Sequence, residues 1–105
     1  MSAGDDRAVR ERRIVDVLMA LAEGEVTTYG DVAEVAGYPR QSRLVGRILS
    51  VTNHEVPWWR VVNAQGRIRT ANPARQAELL AAEGVLVTGG RVLDAPIGRF
   101  ARIDS

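Results

Sequence analysis

A Gly37-Tyr38-Pro39 break divides residues 28 to 50 into two short amphipathic stretches, and it constrains the fold more than any other feature of this chain. Upstream, Thr28 with Asp31 three residues on reads as an N-cap in a capping-box-like arrangement. It opens a helix from about residue 29 to 36, which Gly37 ends. Downstream, Leu44, Val45, Ile48 and Leu49 recur at helical spacing and predict a second helix from about residue 40 to 50. Two short helices across a tight glycine-containing turn form a helix-turn-helix. On spacing alone, any αα-hairpin of a small bundle fits at least as well.

The flanks extend this pattern. Ile14, Val17, Leu18 and Leu21 mark one face of a helix over residues 7 to 23, with Gly24 as its stop. After Pro57 the period changes. Residues 60 to 62 read as a strand, 63 to 66 as a turn, and 67 to 68 as a returning partner. Asn72-Pro73 reads as an N-cap and first-turn proline, opening a helix to Glu83 that Gly84 terminates. Residues 85 to 87 and 91 to 93 flank Thr88-Gly89-Gly90 as a hairpin. The predicted fold class is α+β: a winged-helix-like domain with a helix-turn-helix and small β-hairpins. Residues 1 to 105 form one domain, with a core over about 7 to 93 and an irregular C-terminal tail holding Pro96 and Gly98.

Composition narrows the chemistry. At 46% hydrophobic residues the chain can bury one modest core. With no cysteine it has no disulfide, thiolate metal site or thiol nucleophile, and one histidine argues against a zinc site. No apolar run reaches transmembrane length and the N-terminus has no signal-peptide core. The expectation is a cytoplasmic monomer without membrane, metal or cofactor and without catalytic residues.

Charge is unevenly spread. All 14 cations are arginine. Residues 35 to 77 hold seven of them against one acid, Glu55, while the rest of the chain holds seven against 12 acids. A basic middle between acidic flanks suits a nucleic-acid face. Taken alone it suits an arginine-rich solvated surface equally well.

The segment Val56-Pro57-Trp58-Trp59-Arg60-Val61-Val62 resembles the Pro-Cys-His-Arg-Val core of the O6-alkylguanine-DNA alkyltransferases. Trp58 stands at the reactive cysteine, and an indole supplies no thiolate. Residues 26 to 33, 36 to 46 and 79 to 85 are similar, in order, to that family's helix-turn-helix segments and closing helix. The resemblance covers about residues 9 to 88. Only about two dozen residues precede the motifs, so it covers the DNA-binding part without the N-terminal domain that full alkyltransferases usually carry. It identifies the chain as alkyltransferase-like: a lesion reader without the reaction.

That resemblance implies site residues and a function. Arg43 would be the finger that fills the hole left by a flipped guanine, and Tyr29 would press on the neighbouring phosphate. Gln41 and Ser42 would let the recognition helix approach the minor groove, whose base edges carry little sequence information. Arg47, Arg67 and Arg75 are phosphate-contact candidates. Tyr29, Pro57, Trp58, Trp59, Arg60 and Val62 would form the lesion pocket, with residues 62 to 69 as part of its wall and lid. Arg60 would also brace the loop. Trp59 departs from the family's companion histidine, which in reactive members links to the glutamate matched by Glu83. The implied function is binding of O6-alkylguanine in duplex DNA by base flipping, without alkyl transfer, to mark it for nucleotide excision repair proteins. The alternatives are a winged-helix transcription regulator on undamaged DNA and a base-excising hydrolase using Glu83.

Overall fold

The computed structural model describes residues 3 to 101, and the side chains of residues 6 to 101. Four helices carry the fold: α1 (Ala3–Met19), α2 (Tyr29–Val35), α3 (Ser42–Val51) and α4 (Pro73–Ala82). Strands β1 (Glu25–Thr28), β2 (Val61–Val62) and β5 (Ile97–Gly98) form a parallel sheet in the order β2-β1-β5. Strands β3 (Leu86–Thr88) and β4 (Arg91–Asp94) form an antiparallel hairpin. Between α3 and β2 lies a 3-10 turn, Trp58–Arg60.

The helix-turn-helix has clear local causes. Thr28 accepts a hydrogen bond from the Asp31 amide at 3.0 Å and opens α2. At the other end Gly37 has φ 96°, its amide bonds Glu34 O, and the Tyr38 amide bonds Ala33 O at 2.8 Å. That pair is a Schellman stop, which needs a residue tolerant of the left-handed region. Helix α3 then begins at Ser42, two residues later than the periodicity indicates. Arg40 belongs to the turn and is itself left-handed, at φ 65°. Asn72 caps α4 by accepting from the Arg75 amide, and Leu80 and Val85 complete a second Schellman stop around Gly84.

The core has two parts. Ile14, Val15 and Leu18 of α1 pack with Val32 and Ala33 of α2 and Val45 and Ile48 of α3. Val26, Val62, Leu80, Val85, Val92 and Ala95 form the second part beneath the hairpin. Strand alternation joins them: on β2, Val61 enters the first and Val62 the second, both fully buried.

The structure corrects the sequence reading in four further places. Helix α1 ends at Met19, before Gly24, which instead sits in a turn at φ 84° against Pro96 and Glu83. Strand β1 carries too short an apolar pattern to be recognised, yet it is the centre of the parallel sheet. Residues 67 and 68 return toward the hairpin, through an Arg67–Arg91 bridge, instead of pairing with β2 as a strand. The expected irregular tail contributes β5 to β1, while Ala95 is buried and Phe100 packs on the second core, so the packed part extends beyond residue 93. Residues 102 to 105 of that tail lie outside the described residues. Among the described residues, no helix is long and apolar enough to cross a membrane.

Candidate nucleic-acid interface

Strand β1 feeds Tyr29 directly into the start of α2, and the Gly37 turn brings α3 across it. The result is a cleft of about 930 Å³ between α2, α3 and the loops after β2. Tyr29, Ser42, Arg43, Gly46 and Leu49 line one side, and Trp58 lines its wall. Asn63, Ala64 and the segment 69–72 form the opposite lip. The volume lies within the range of small-molecule sites, roughly 300–1,000 Å³.

The wall is built from the motif loop. Trp58 meets Trp59 edge-to-face, with ring centroids 6.0 Å apart and planes at 89°. The Trp59 indole N–H donates to Glu83 Oε2 at 2.7 Å. The Arg60 Nε and Nη2 groups donate to the same carboxylate at 2.9 and 2.8 Å, and Nη1 donates to Leu21 O at 2.8 Å. The Gly24 amide completes the set at 2.8 Å from Glu83 Oε1. Burial alone would raise the pKa of Glu83. The Arg60, Gly24 and Trp59 donors outweigh it and hold the carboxyl below its ordinary value. Arg60 is thus the brace of the loop, fixing the turn that presents Trp58.

Gln76, fully buried on α4, holds the same loop from behind. Its amide nitrogen donates to Trp59 O and Val61 O, both at 3.0 Å, and its oxygen accepts from the Thr70 hydroxyl at 2.9 Å. One side chain therefore links the Trp58 wall to the opposite lip. Asn63 shapes that lip, because its side-chain oxygen accepts from the Gln65 and Arg67 amides.

The other expected pocket residues take different places. Pro57, Trp59 and Arg60 line a separate groove behind the loop, which Trp58 also touches. The 3-10 turn rotates successive side chains by about 120°, and of these four residues only Trp58 also reaches the cleft. Val62 is fully buried in the second core and does not line the cleft. Gln41, Arg40 and Arg47 lie on the opposite flank of α3 from the cleft, with Ser42 and Arg43 at the boundary. Arg67 is exposed beside the hairpin, and Arg75 pairs with Glu78 at 3.2 Å on the surface of α4. The motif resemblance extends the wall only as far as Arg69. Thr70, Ala71 and Asn72 are brought to the cleft by the chain's return to α4, which leaves no local pattern.

The electrostatics suit an anionic polymer. Arg43 is exposed and makes no ion pair among the described residues. Burial raises the pKa of the half-buried Tyr29 phenol, so it stays a neutral hydroxyl at physiological pH and can donate to a phosphate oxygen without charge repulsion.

Comparison with known proteins gives this geometry a family. Residues 10–85 match the family described as 6-O-methylguanine DNA methyltransferase, DNA binding domain. The DNA base-flipping protein of Escherichia coli (strain K12) is 45% identical over 87 residues, spanning 79% of this chain and 67% of that protein. Alkyltransferase-like protein 1 of Schizosaccharomyces pombe is 35% identical over 79 residues, 70% of this chain and 73% of that protein. The crystal structure of S. pombe Atl1 in complex with damaged DNA containing O6-carboxymethylguanine matches with a TM-score of 0.70 at 30% identity, covering 84% of this chain and 83% of that one. Mycobacterium tuberculosis OGT in complex with DNA matches with a TM-score of 0.63 at 29% identity, covering 70% and 48%. The chain belongs to the 6-O-methylguanine DNA methyltransferase DNA-binding-domain family, on its alkyltransferase-like branch.

Proposed function

We propose that this protein binds duplex DNA carrying O6-alkylguanine, turns the alkylated base into the cleft beside Trp58, and holds it there without transferring the alkyl group. The observation that carries this reading is the convergence of Tyr29, Arg43 and Trp58 on one cleft. A stacked base cannot reach a pocket, so the base must leave the helix and something must fill its place. The exposed Arg43 guanidinium at the start of α3 is a planar, hydrogen-bonding substitute for that base. The Trp58 indole offers the extruded purine a stacking face and its alkyl group an apolar wall. The structures of relatives bound to DNA support a DNA partner, and the bound, marked lesion would be handed to nucleotide excision repair proteins. The protein acts as a monomer in this reading. A regulator of undamaged DNA would instead present a base-reading face and a dimer interface.

Band-shift titration with matched duplexes tests the reading. A duplex with one O6-methylguanine should bind at least about tenfold more tightly than its unmodified counterpart. Both affinities should fall as salt rises, because arginines displace condensed counterions. Equal binding at every salt concentration would favour the regulator.

A second expectation concerns chemistry. Trp58→Cys should take up no label from DNA carrying labelled O6-methylguanine over the time in which the wild-type protein binds it. A thiol needs a base to become a nucleophile. Here Trp59 occupies the companion position, and Glu83 is already engaged by Arg60, Trp59 and Gly24. Stoichiometric labelling of the variant would show that the loop needs no such base.

A further inference from the structure

Helix α3 is a ridge with a groove on each flank. Gly46, Leu49 and Ser50 face the cleft. Leu44, Arg47, Ile48 and Val51 face a second groove of about 930 Å³, closed on its far side by Arg7, Ala8, Arg10 and Glu11 of α1. Ser42 and Arg43 line both, so the two grooves are continuous around the N-terminus of α3. Five arginines line the second groove, Arg7, Arg10, Arg40, Arg43 and Arg47, against one carboxylate, Glu11. None of the five belongs to an ion pair among the described residues, although Arg12, Arg60, Arg75 and Arg99 all do.

Two further features distinguish this groove. The Nε of Arg10 is buried without a hydrogen-bond partner. A buried donor left unpaired is unfavourable, and the fold carries that cost beside this groove. Arg40, with φ 65°, is the one non-glycine residue in the left-handed region among the described residues. The turn holds an arginine where asparagine or glycine would sit with less strain.

We propose that this groove grips the phosphate backbone of the DNA strand opposite the lesion. The inference rests on the function proposed above, with α3 laid along a groove of the duplex. A helix in that position has a phosphate backbone on each side. The cleft flank takes the strand whose base is extruded. The other flank then meets the complementary strand, and there the unpaired guanidinium groups stand. Helix α1 thereby joins the DNA-binding surface, through Arg7 and Arg10. Arg43 enters the duplex between the two tracks, and holding both strands keeps the gap open around it.

Fluorescence anisotropy of the full chain over a potassium chloride series tests this, using unmodified and O6-methylguanine duplexes. Each phosphate contact contributes about 0.9 to the slope of log affinity against log salt. The triple variant Arg7→Gln, Arg10→Gln, Arg47→Gln should lose two to three such contacts, roughly 2 to 3 in slope, on both duplexes alike. The ratio of lesion to unmodified affinity should therefore stay as in the wild type. The double variant Arg7→Gln, Arg47→Gln leaves the partly buried Arg10 in place and should lose about two contacts' worth. Arg12→Gln, on the same helix but paired with Asp16, should change the slope far less. A short run of methylphosphonates in the complementary strand should weaken wild-type binding and leave the triple variant unaffected, while the same run in the lesion strand should weaken both. An unchanged slope in the folded variants, or a methylphosphonate effect confined to the lesion strand, would overturn the assignment. Loss of lesion preference in the wild type would instead sink the proposed function, and the slopes would still report on the groove.

Discussion

Glu83→Ala should destabilise the fold by about 3–5 kcal/mol, a large part of the roughly 5–15 kcal/mol that holds a domain of this kind together. The carboxylate and its Arg60 partner are only 9% and 13% exposed. Removing one partner strands the other: Arg60 keeps its charge and loses three of its four hydrogen bonds, and the Trp59 indole and Gly24 amide lose their acceptor. Urea unfolding followed by tryptophan fluorescence would measure the loss, and a shift under about 1 kcal/mol would mean the network is solvated in practice. The sign with pH follows. Glu83 has a folded pKa below its ordinary value of 4.5. Its contribution is complete above that value and disappears as pH falls through the folded pKa. Glu83→Gln should remove that part of the acid dependence while keeping the side chain's volume.

Arg43→Ala should lower the preference for O6-alkylguanine duplex far more than Arg75→Ala does, although each removes one positive charge. Arg75 sits on α4 against Glu78, outside the cleft, and its loss should cost at most a contact's worth of salt slope. Arg43 lines the cleft at the head of α3. A finger that fills the gap offsets unstacking of a few kcal/mol. Losing it should reduce lesion preference by about tenfold or more. A fluorescent base analogue at the lesion should report less extrusion in the same variant. Equal losses from both substitutions, with unchanged fluorescence, would reduce Arg43 to a backbone contact.

How far the sequence discloses this molecule depends on the range of the forces involved. The caps at Thr28 and Asn72 and the stops at Gly37 and Gly84 act within five residues, so their chemistry is readable one segment at a time. The hairpin over β3 and β4 is local in the same way. The parallel sheet is different, because β1 pairs with strands more than thirty and seventy residues away and its four residues carry no strong pattern. Gln76 escapes notice because glutamine is usually exposed, and only the tertiary structure supplies the two carbonyls and the hydroxyl that satisfy it. The motif loop misleads in an instructive way. Adjacent residues Pro57 to Arg60 belong to one motif, yet the tight turn sends Trp58 to the cleft and Trp59 to Glu83.

The position of β1 between β2 and β5 bears on how the chain is made. Thr27 and Thr28 pair with Val61 and Val62, and Glu25 and Val26 pair with Ile97 and Gly98. Sequence-distant pairing of this kind forms late, since the intervening loop must close first. A nascent chain on the ribosome holds all three helices of the first core once residue 51 has emerged, and Val56 and Val61 complete that core soon after. The strand that delivers Tyr29 to the cleft stays open along one edge until residues 97 and 98 arrive. The DNA-reading half is thus synthesised early and completed last, and a chain stalled before β5 displays its recognition helix on an unfinished scaffold.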